Sequence, residues 1–351
     1  MMKWFEEVNL TRPAVICSRV RLVRNLDEYA FPSRLDEQQA DEMIGRLEEA
    51  LKGLGSVDGR HYEQARLQEL SDLDRRALRE RRVFNSTIAS GKAPAGVMVS
   101  DDEQVGIVLN GTDHIRIQLF AAGLHLDELM NQAGQIDDYL NERFDYAFDE
   151  KYGYLTSSPL YMGTGMSASY LLHLPYLEKK SVMHQIEKQI SQYGFTLRPH
   201  FDGQTEAPGS VYRMRNRKTL GLSESEITSA LEHLAGQLAE QEEALARQCF
   251  NEDRLSQVDP MYRAYGLIKY ARKLGYDETM ACLSLLHAGD LYHIWPEQAE
   301  ICPFAVMLNM ADAVLSASAE KNISSSERGR ARADYIRRNL PVLDASEAVS
   351  S

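Results

Sequence analysis

The hydrophobic period of this chain changes near residue 250, and that change limits its architecture more than any other feature. Up to there, period-two segments alternate with segments of helical period; over residues 261–320 only helical periods occur. Strands read at 13–25 (Val15, Cys17, Val20, Leu22), 97–100, 105–109 and 115–118. Helices read at about 37–52, where Met43, Ile44, Leu47, Ala50 and Leu51 share a face, at 125–148, and at 224–249 behind a Ser223–Glu226 capping box. Residues 60–82 are highly charged with a weak helical period, and 167–174 read as a strand or a helix edge. Asp259-Pro260 reads as a break between two units. The expected fold is α+β: a mixed domain over 1–255, an all-helical domain over 256–340, and a frayed polar tail over 341–351.

With 351 residues the chain can bury one large core and a smaller one. It has no run of 18 uncharged apolar residues and no apolar core near its first residues, so neither a membrane span nor a signal segment is expected. Cys17, Cys249, Cys282 and Cys302 are scattered, with no CxxC pair, which suits a reducing cytoplasm without a disulfide framework or a zinc site. A net charge of −13 argues against nucleic acid as a partner. It fits basic protein partners, or simply solubility.

Arg19 and Arg21 stand two apart in a strand pattern, which puts both side chains on one face. Two adjacent guanidinium groups repel unless an anion lies between them. A polyphosphate satisfies that need through planar bidentate donors, and acidic neighbours such as Asp101 or Asp102 would satisfy it equally. Arg116, between Ile115 and Ile117, reads on its own as the solvent face of a sheet. Gly163-Thr-Gly165 is a weak phosphate-loop signal. His114 and His173 fit either catalytic roles or packed, hydrogen-bonded ones.

The order of these segments carries more than each alone. Ser18-Arg-Val-Arg-Leu22, Asp113-His-Ile-Arg-Ile117, Gly153-Tyr-Leu-Thr156, Gly163-Thr-Gly165, His173-Leu-Pro175, Arg198 and Gly209-Ser-Val-Tyr212 resemble the ATP:guanido phosphotransferases over about residues 13–250. Tyr262-Arg-Ala-Tyr-Gly266 and the helical pattern after it resemble the C-terminal domain of the bacterial protein arginine kinases. The resemblance implies a guanido-kinase domain, an antiparallel sheet flanked by helices, followed by an all-helical domain. It implies transfer of a phosphoryl group from ATP with Mg2+ to a guanidinium, and a nucleotide-binding set of Ser18, Arg19, Arg21, His114, Arg116 and Arg198.

The same resemblance exposes what is replaced. Its paired glutamates fall on Gly111 and Thr112, its second substrate glutamate on Gly203, an arginine on Ser167, a reactive cysteine on Ser158 and an asparagine on Tyr161. A protonated guanidinium is a poor nucleophile until carboxylates orient it and help take its proton. Thr112 and Gly203 cannot do that, so no residue is assigned as catalytic. Asp202, Glu206 or the Asp101–Glu103 cluster would have to serve instead.

Ser326-Glu-Arg-Gly-Arg-Ala-Arg-Ala333 resembles the phosphoarginine-receiving motif of the protein arginine kinases, with Arg328 and Arg332 on its arginines and Gly329 where an aspartate belongs. A basic, solvated helix fits the same residues. The expectation is a cytoplasmic, catalytically impaired family member that binds nucleotide or phosphoarginine and regulates protein quality control; an active arginine kinase using relocated carboxylates is the alternative. The partners implied by resemblance are a second copy, an active arginine kinase, an activator protein or a Clp-type chaperone-protease.

Overall fold

Both faces of the strand β1 (Val15–Arg24) are used, and that sets the layering. Alternation sends Val20, Leu22 and Arg24 to one side and Cys17, Arg19, Arg21 and Val23 to the other. The computed structural model describes residues 2–7, 12–200, 207–292, 294–295, 303–319 and 323–340. Before the sheet is complete the chain forms α1 (Glu37–Leu51), α2 (Gly55–Asp58), the strand β2 (Tyr62–Arg66), α3 (Asp72–Glu80) and α4 (Ser86–Ala89). Strands β3 (Gly96–Ser100), β4 (Val105–Leu109) and β5 (Ile115–Ala122) follow, then α5 (Leu126–Asn141) and a small hairpin of β6 (Phe148–Asp149) and β7 (Gly153–Tyr154). Next come β8 (Met166–His173), α6 (Pro175–Lys179), α7 (Met183–Gln192), β9 (Phe195–Pro199) and β10 (Val211–Asn216).

The eight-stranded sheet has the order β2-β3-β4-β5-β1-β8-β10-β9, with every described pairing antiparallel. The Val20 face is covered by α1, α5 and α8 (Glu224–Glu252). Met43, Ile44 and Leu47 of α1, Leu129 and Ile136 of α5, and Ile227 and Leu231 of α8 are buried against it. Each such aliphatic side chain contributes about 2 kcal/mol through removal from water. The capping box at the head of α8 is formed: Ser223 accepts from the Glu226 amide, and Glu226 accepts from the Ser223 amide at 2.7 Å.

The remaining helices are α9 (Arg254–Tyr270), α10 (Tyr276–Leu291), α11 (Pro303–Asn309), α12 (Asp312–Ser318) and α13 (Ser325–Asn339). Their apolar cluster takes in Cys17, Phe120, Leu171 and Val211, which belong to the second face of the sheet. Trp4 seals this junction by stacking on Phe120, with ring centroids 4.7 Å apart. The helical layer therefore covers one end of that face and leaves a gap over its arginine-bearing part.

Three expectations are corrected. Tyr62–Arg66 is a strand, not helix; it lies at the sheet edge, where charged side chains are tolerated and the apolar period is lost. The helix after residue 125 ends at Asn141. Asp259-Pro260 is not a break: α9 runs through Pro260, and the chain turns earlier, at Asp253, whose side chain accepts from the Ser256 amide at 3.1 Å. Residues 341–351 lie outside the described residues.

Candidate anion-binding site

The register places arginines from several strands on one surface. Arg19 and Arg21 of β1 stand beside Ser169 and Ser167 of β8. Across β8, Ser169 stands beside Arg215 and Leu171 beside Arg213, both of β10. Arg19, Arg21, Arg213 and Arg215 line one wall of a cavity of about 630 Å³. The facing wall includes Glu80 and Arg82, Tyr276 of α10, Asp312 of α12 and Arg332 of α13.

The electrostatics of this wall are unfavourable as they stand. The Nε atoms of Arg19 and Arg21 are buried without a hydrogen-bond partner. Burial, then Arg21 and Arg213, push the Arg19 pKa well below the usual arginine value. Burial also lowers that of Arg21; Tyr161 partly offsets it, while Arg213 and Arg215 lower it further. A guanidinium keeps its proton in a protein, so these shifts mean a standing positive potential rather than neutral side chains. At ~10 Å and an effective dielectric near 20, each like-charge pair costs about 2 kcal/mol. A polyanion relieves that cost and meets planar donors of matching geometry.

Arg116 is buried on β5, donates through Nη2 to the Val83 carbonyl at 2.9 Å, and leaves its Nε without a partner. It is not on the solvent face. Burial and then Arg21 lower its pKa strongly. Tyr161 lies within hydrogen-bonding reach of Arg21. Arg198 is exposed and ion-paired with Glu187. It stands opposite Arg213 in the register but does not line the cavity.

Two residues of the expected nucleotide set face elsewhere. Ser18 is on the opposite side of β1, where its hydroxyl donates to the Gly123 carbonyl at 2.9 Å and accepts from the His125 amide at 3.2 Å. His114 is buried: its Nδ1 accepts from the Leu26 amide at 3.0 Å and its Nε2 donates to the Ala30 carbonyl at 2.8 Å. Burial lowers its pKa, so it is a neutral packing residue that ties β5 to the loop after β1. His173 is packed as well, with Nε2 2.7 Å from the Ser284 hydroxyl. Gly163 and Gly165 serve close approach: a Cβ at 163 would meet the Thr219 carbonyl at 2.8 Å, and one at 165 would meet the Val23 carbonyl at 2.7 Å.

Carboxylates near the arginine wall are engaged elsewhere. Thr112 is exposed, and its hydroxyl reaches only the neighbouring Asp113 at 3.4 Å. Asp113 is buried and accepts from Asn25 at 2.8 Å and from the Ser157 amide at 2.7 Å. Asp101 pairs with His61, Asp102 with Arg60, and Glu103 with Lys3 and Arg81. That cluster therefore neither neutralises Arg19 and Arg21 nor supplies a base beside them. Glu80 accepts from the Ala313 and Val314 amides. Gly203, Asp202 and Glu206 lie outside the described residues. Among those described, no group of three or more His, Cys, Asp or Glu side chains converges on a metal position. The cavity's arginine donors match a polyphosphate in charge and planar geometry.

Arg328 and Arg332 converge on Asp312, at 3.0 and 2.6 Å. Arg332 is buried and also donates to the Leu274 and Met310 carbonyls, so this segment is not a solvated basic helix. A Cβ at Gly329 would meet Lys273 Cγ at 2.8 Å, so α13 lies close against Lys273 at the position where the resemblance calls for aspartate.

The sequence reading missed Arg213, Arg215 and Arg82. The signal for the first two was present: Val211, Arg213 and Arg215 alternate with Tyr212 and Met214, the same pattern that marked Arg19 and Arg21.

Comparison with known proteins agrees with this architecture. The profile of the ATP:guanido phosphotransferase C-terminal catalytic domain matches residues 42–245, and that of the protein-arginine kinase McsB C-terminal domain matches residues 254–350. The chain is 37% identical over 345 residues to a protein-arginine kinase of Desulforamulus reducens, covering 97% of this chain and 96% of that one. It is 33% identical over 339 residues to a protein-arginine kinase of Symbiobacterium thermophilum, covering 96% of each. Among solved structures, lombricine kinase is similar at a TM-score of 0.58 and 20% identity, covering 66% of each chain. The duplicated taurocyamine kinase of Schistosoma mansoni gives the same TM-score at 20% identity; the match covers 69% of this chain and 36% of that one. These two likenesses concern the fold. The chain belongs to the ATP:guanido phosphotransferases, in the protein-arginine kinase family.

Proposed function

We propose that this protein is a catalytically impaired relative of the protein-arginine kinases that binds a nucleotide through its phosphates and acts as a regulator in protein quality control. One observation carries the proposal. Arg19, Arg21 and Arg116 each keep a buried Nε without a partner, and the first two line the cavity, while the positions expected to hold the substrate carboxylates are Gly111 and Thr112. Loss of one transition-state contact commonly costs 10²–10³-fold in rate. Several lost together do not add simply, because they act as a unit. Binding survives such losses better than turnover, since arginine–phosphate contacts need no base. When bound, ATP would bring a transferable phosphoryl group; this chain would hold its phosphates and leave a guanidinium unoriented.

The alternative, an active protein-arginine kinase, is favoured by the name its relatives carry at 37% and 33% identity. Its base would come from residues 202–206. Thr112→Glu combined with Gly203→Glu separates the two. A gain of phosphoarginine formation on an arginine-rich protein, with unchanged folding, supports impairment. Wild-type activity that falls on making these substitutions contradicts it. Partners on this proposal are an active arginine kinase or a chaperone-protease complex, detectable by co-purification.

A further inference from the structure

On the face where the arginines stand, β8 carries the short, buried side chains of Ser167 and Ser169. Ser167 and Ser169 lie between Arg21 and Arg19 of β1 on one side and Arg215 of β10 on the other. Adjacent strands are about 4.8 Å apart, so the two arginine rows are ~10 Å apart at Cα, across a floor of hydroxyl groups. The serines of this trough are themselves buried, and the arginines on either side of it, Arg19, Arg21 and Arg215, line the 630 Å³ cavity. A long side chain at 167 would fill the trough, and an arginine there is what the family resemblance calls for.

We infer that Arg215, with Arg213 beside it, is a phosphate-binding residue that replaces from the next strand the guanidinium missing at position 167. The ligand is the polyphosphate arm of a nucleotide, gripped from both sides of β8. This inference deepens the nucleotide-binding reading and rests on it. Three observations support it. Arg215 lines the same cavity as Arg19 and Arg21. It is close enough to Arg21 to depress the latter's pKa. The Nε atoms of Arg19 and Arg21 across the trough are buried and unpartnered. A residue with a purely structural role would be placed to reduce repulsion; Arg215 adds to it. The cost is recovered when an anion bridges the rows, because guanidinium–phosphate pairs are charge-assisted and bidentate.

The test is calorimetry with inorganic triphosphate and, separately, ATP, each with and without Mg2+. The proteins are wild type, Arg215→Gln, Arg215→Lys, Ser167→Arg and the Arg215→Gln/Ser167→Arg double variant. Arg215→Gln should weaken both ligands by about tenfold. Arg215→Lys should fall between, keeping charge but losing the fork. Ser167→Arg should restore most of the loss in the Arg215→Gln background and gain less in wild type. Ligand-free Arg215→Gln should melt no lower than wild type, because a repulsive charge is gone, while the rise in melting temperature on adding triphosphate shrinks. Equal triphosphate and ATP affinity in wild type and Arg215→Gln, with binding lost in Arg19→Ala, would overturn the role of Arg215 and leave nucleotide binding standing. Binding of triphosphate but not ATP would keep the trough and overturn the nucleotide as its ligand. Binding of neither by wild type would overturn both.

Discussion

Arg24 and Arg19 lie on the same strand and meet opposite fates. Arg24 is 1% exposed, paired with Asp137 at 2.6 Å, and sits 3.6 Å from the centroid of the Tyr154 ring. Its charge is used up inside the protein, and removing Asp137 would strand it. Arg19 faces the cavity with an Nε that nothing satisfies. Alternation along β1 decides which arginine is paired inside the fold and which faces the cavity. The buried imidazoles make a separate residue-scale case. His173 and His287 have ring centroids 5.0 Å apart, and the Nδ1 of each is buried without a partner. Burial depresses both pKa values, that of His287 to about 4. The folded pKa is below the unfolded value of roughly 6.5, so the fold favours the neutral ring. This contribution is full above that value and is lost as pH falls toward the folded pKa. His287→Gln should remove about 2 kcal/mol of the stability that wild type loses between pH 7 and pH 4. Urea unfolding at both pH values measures it, and an unchanged loss would contradict the burial argument.

At the scale of elements, legibility followed the apolar period. β1, β3 and β4 alternate or run apolar through the core, and α1 and α8 carry continuous stripes, so these read near their observed bounds; β5 reads only to Gln118 of a strand that reaches Ala122, and β8, buried on both faces, stays open between strand and helix edge. β2 was lost because an edge strand can be charged on both faces. β10 was lost because its cavity-facing positions are arginines, which look like loop when the partner strand is unknown. The paired role of Arg19 and Arg215 could not be read at all, since it depends on both strands flanking β8. Element packing also explains position 329. α13 approaches the segment between α9 and α10 closely enough for the Leu274 amide to donate to the Gly329 carbonyl at 3.0 Å. Gly329→Asp should therefore destabilise the protein by about 2 kcal/mol through crowding against Lys273. A denaturant midpoint equal to that of wild type would show that Lys273 moves aside freely.

Across the whole molecule, a net charge of −13 coexists with a cavity whose walls are dominated by arginine. On the proposed reading, the internal positive region would attract a small anion although the chain as a whole is acidic. The apolar cluster of the C-terminal helices takes in Cys17, Phe120, Leu171 and Val211, so the sheet's second face is shared between packing at one end and the arginine trough beside it. A ligand there would touch both the sheet and α10–α13, which gives a route by which anion binding stiffens the contact between layers. Among the described residues no helix is long and apolar enough to cross a membrane. The central claim is that phosphate binding persists where arginine phosphorylation does not. The most direct measurement incubates purified protein with Mg-ATP and casein. Phosphoarginine is then sought by neutral-pH mass spectrometry, and nucleotide affinity is taken by calorimetry on the same sample. Clear nucleotide binding with no phosphoarginine is the expected result; phosphoarginine that forms with wild type and disappears in Arg19→Ala would contradict the claim.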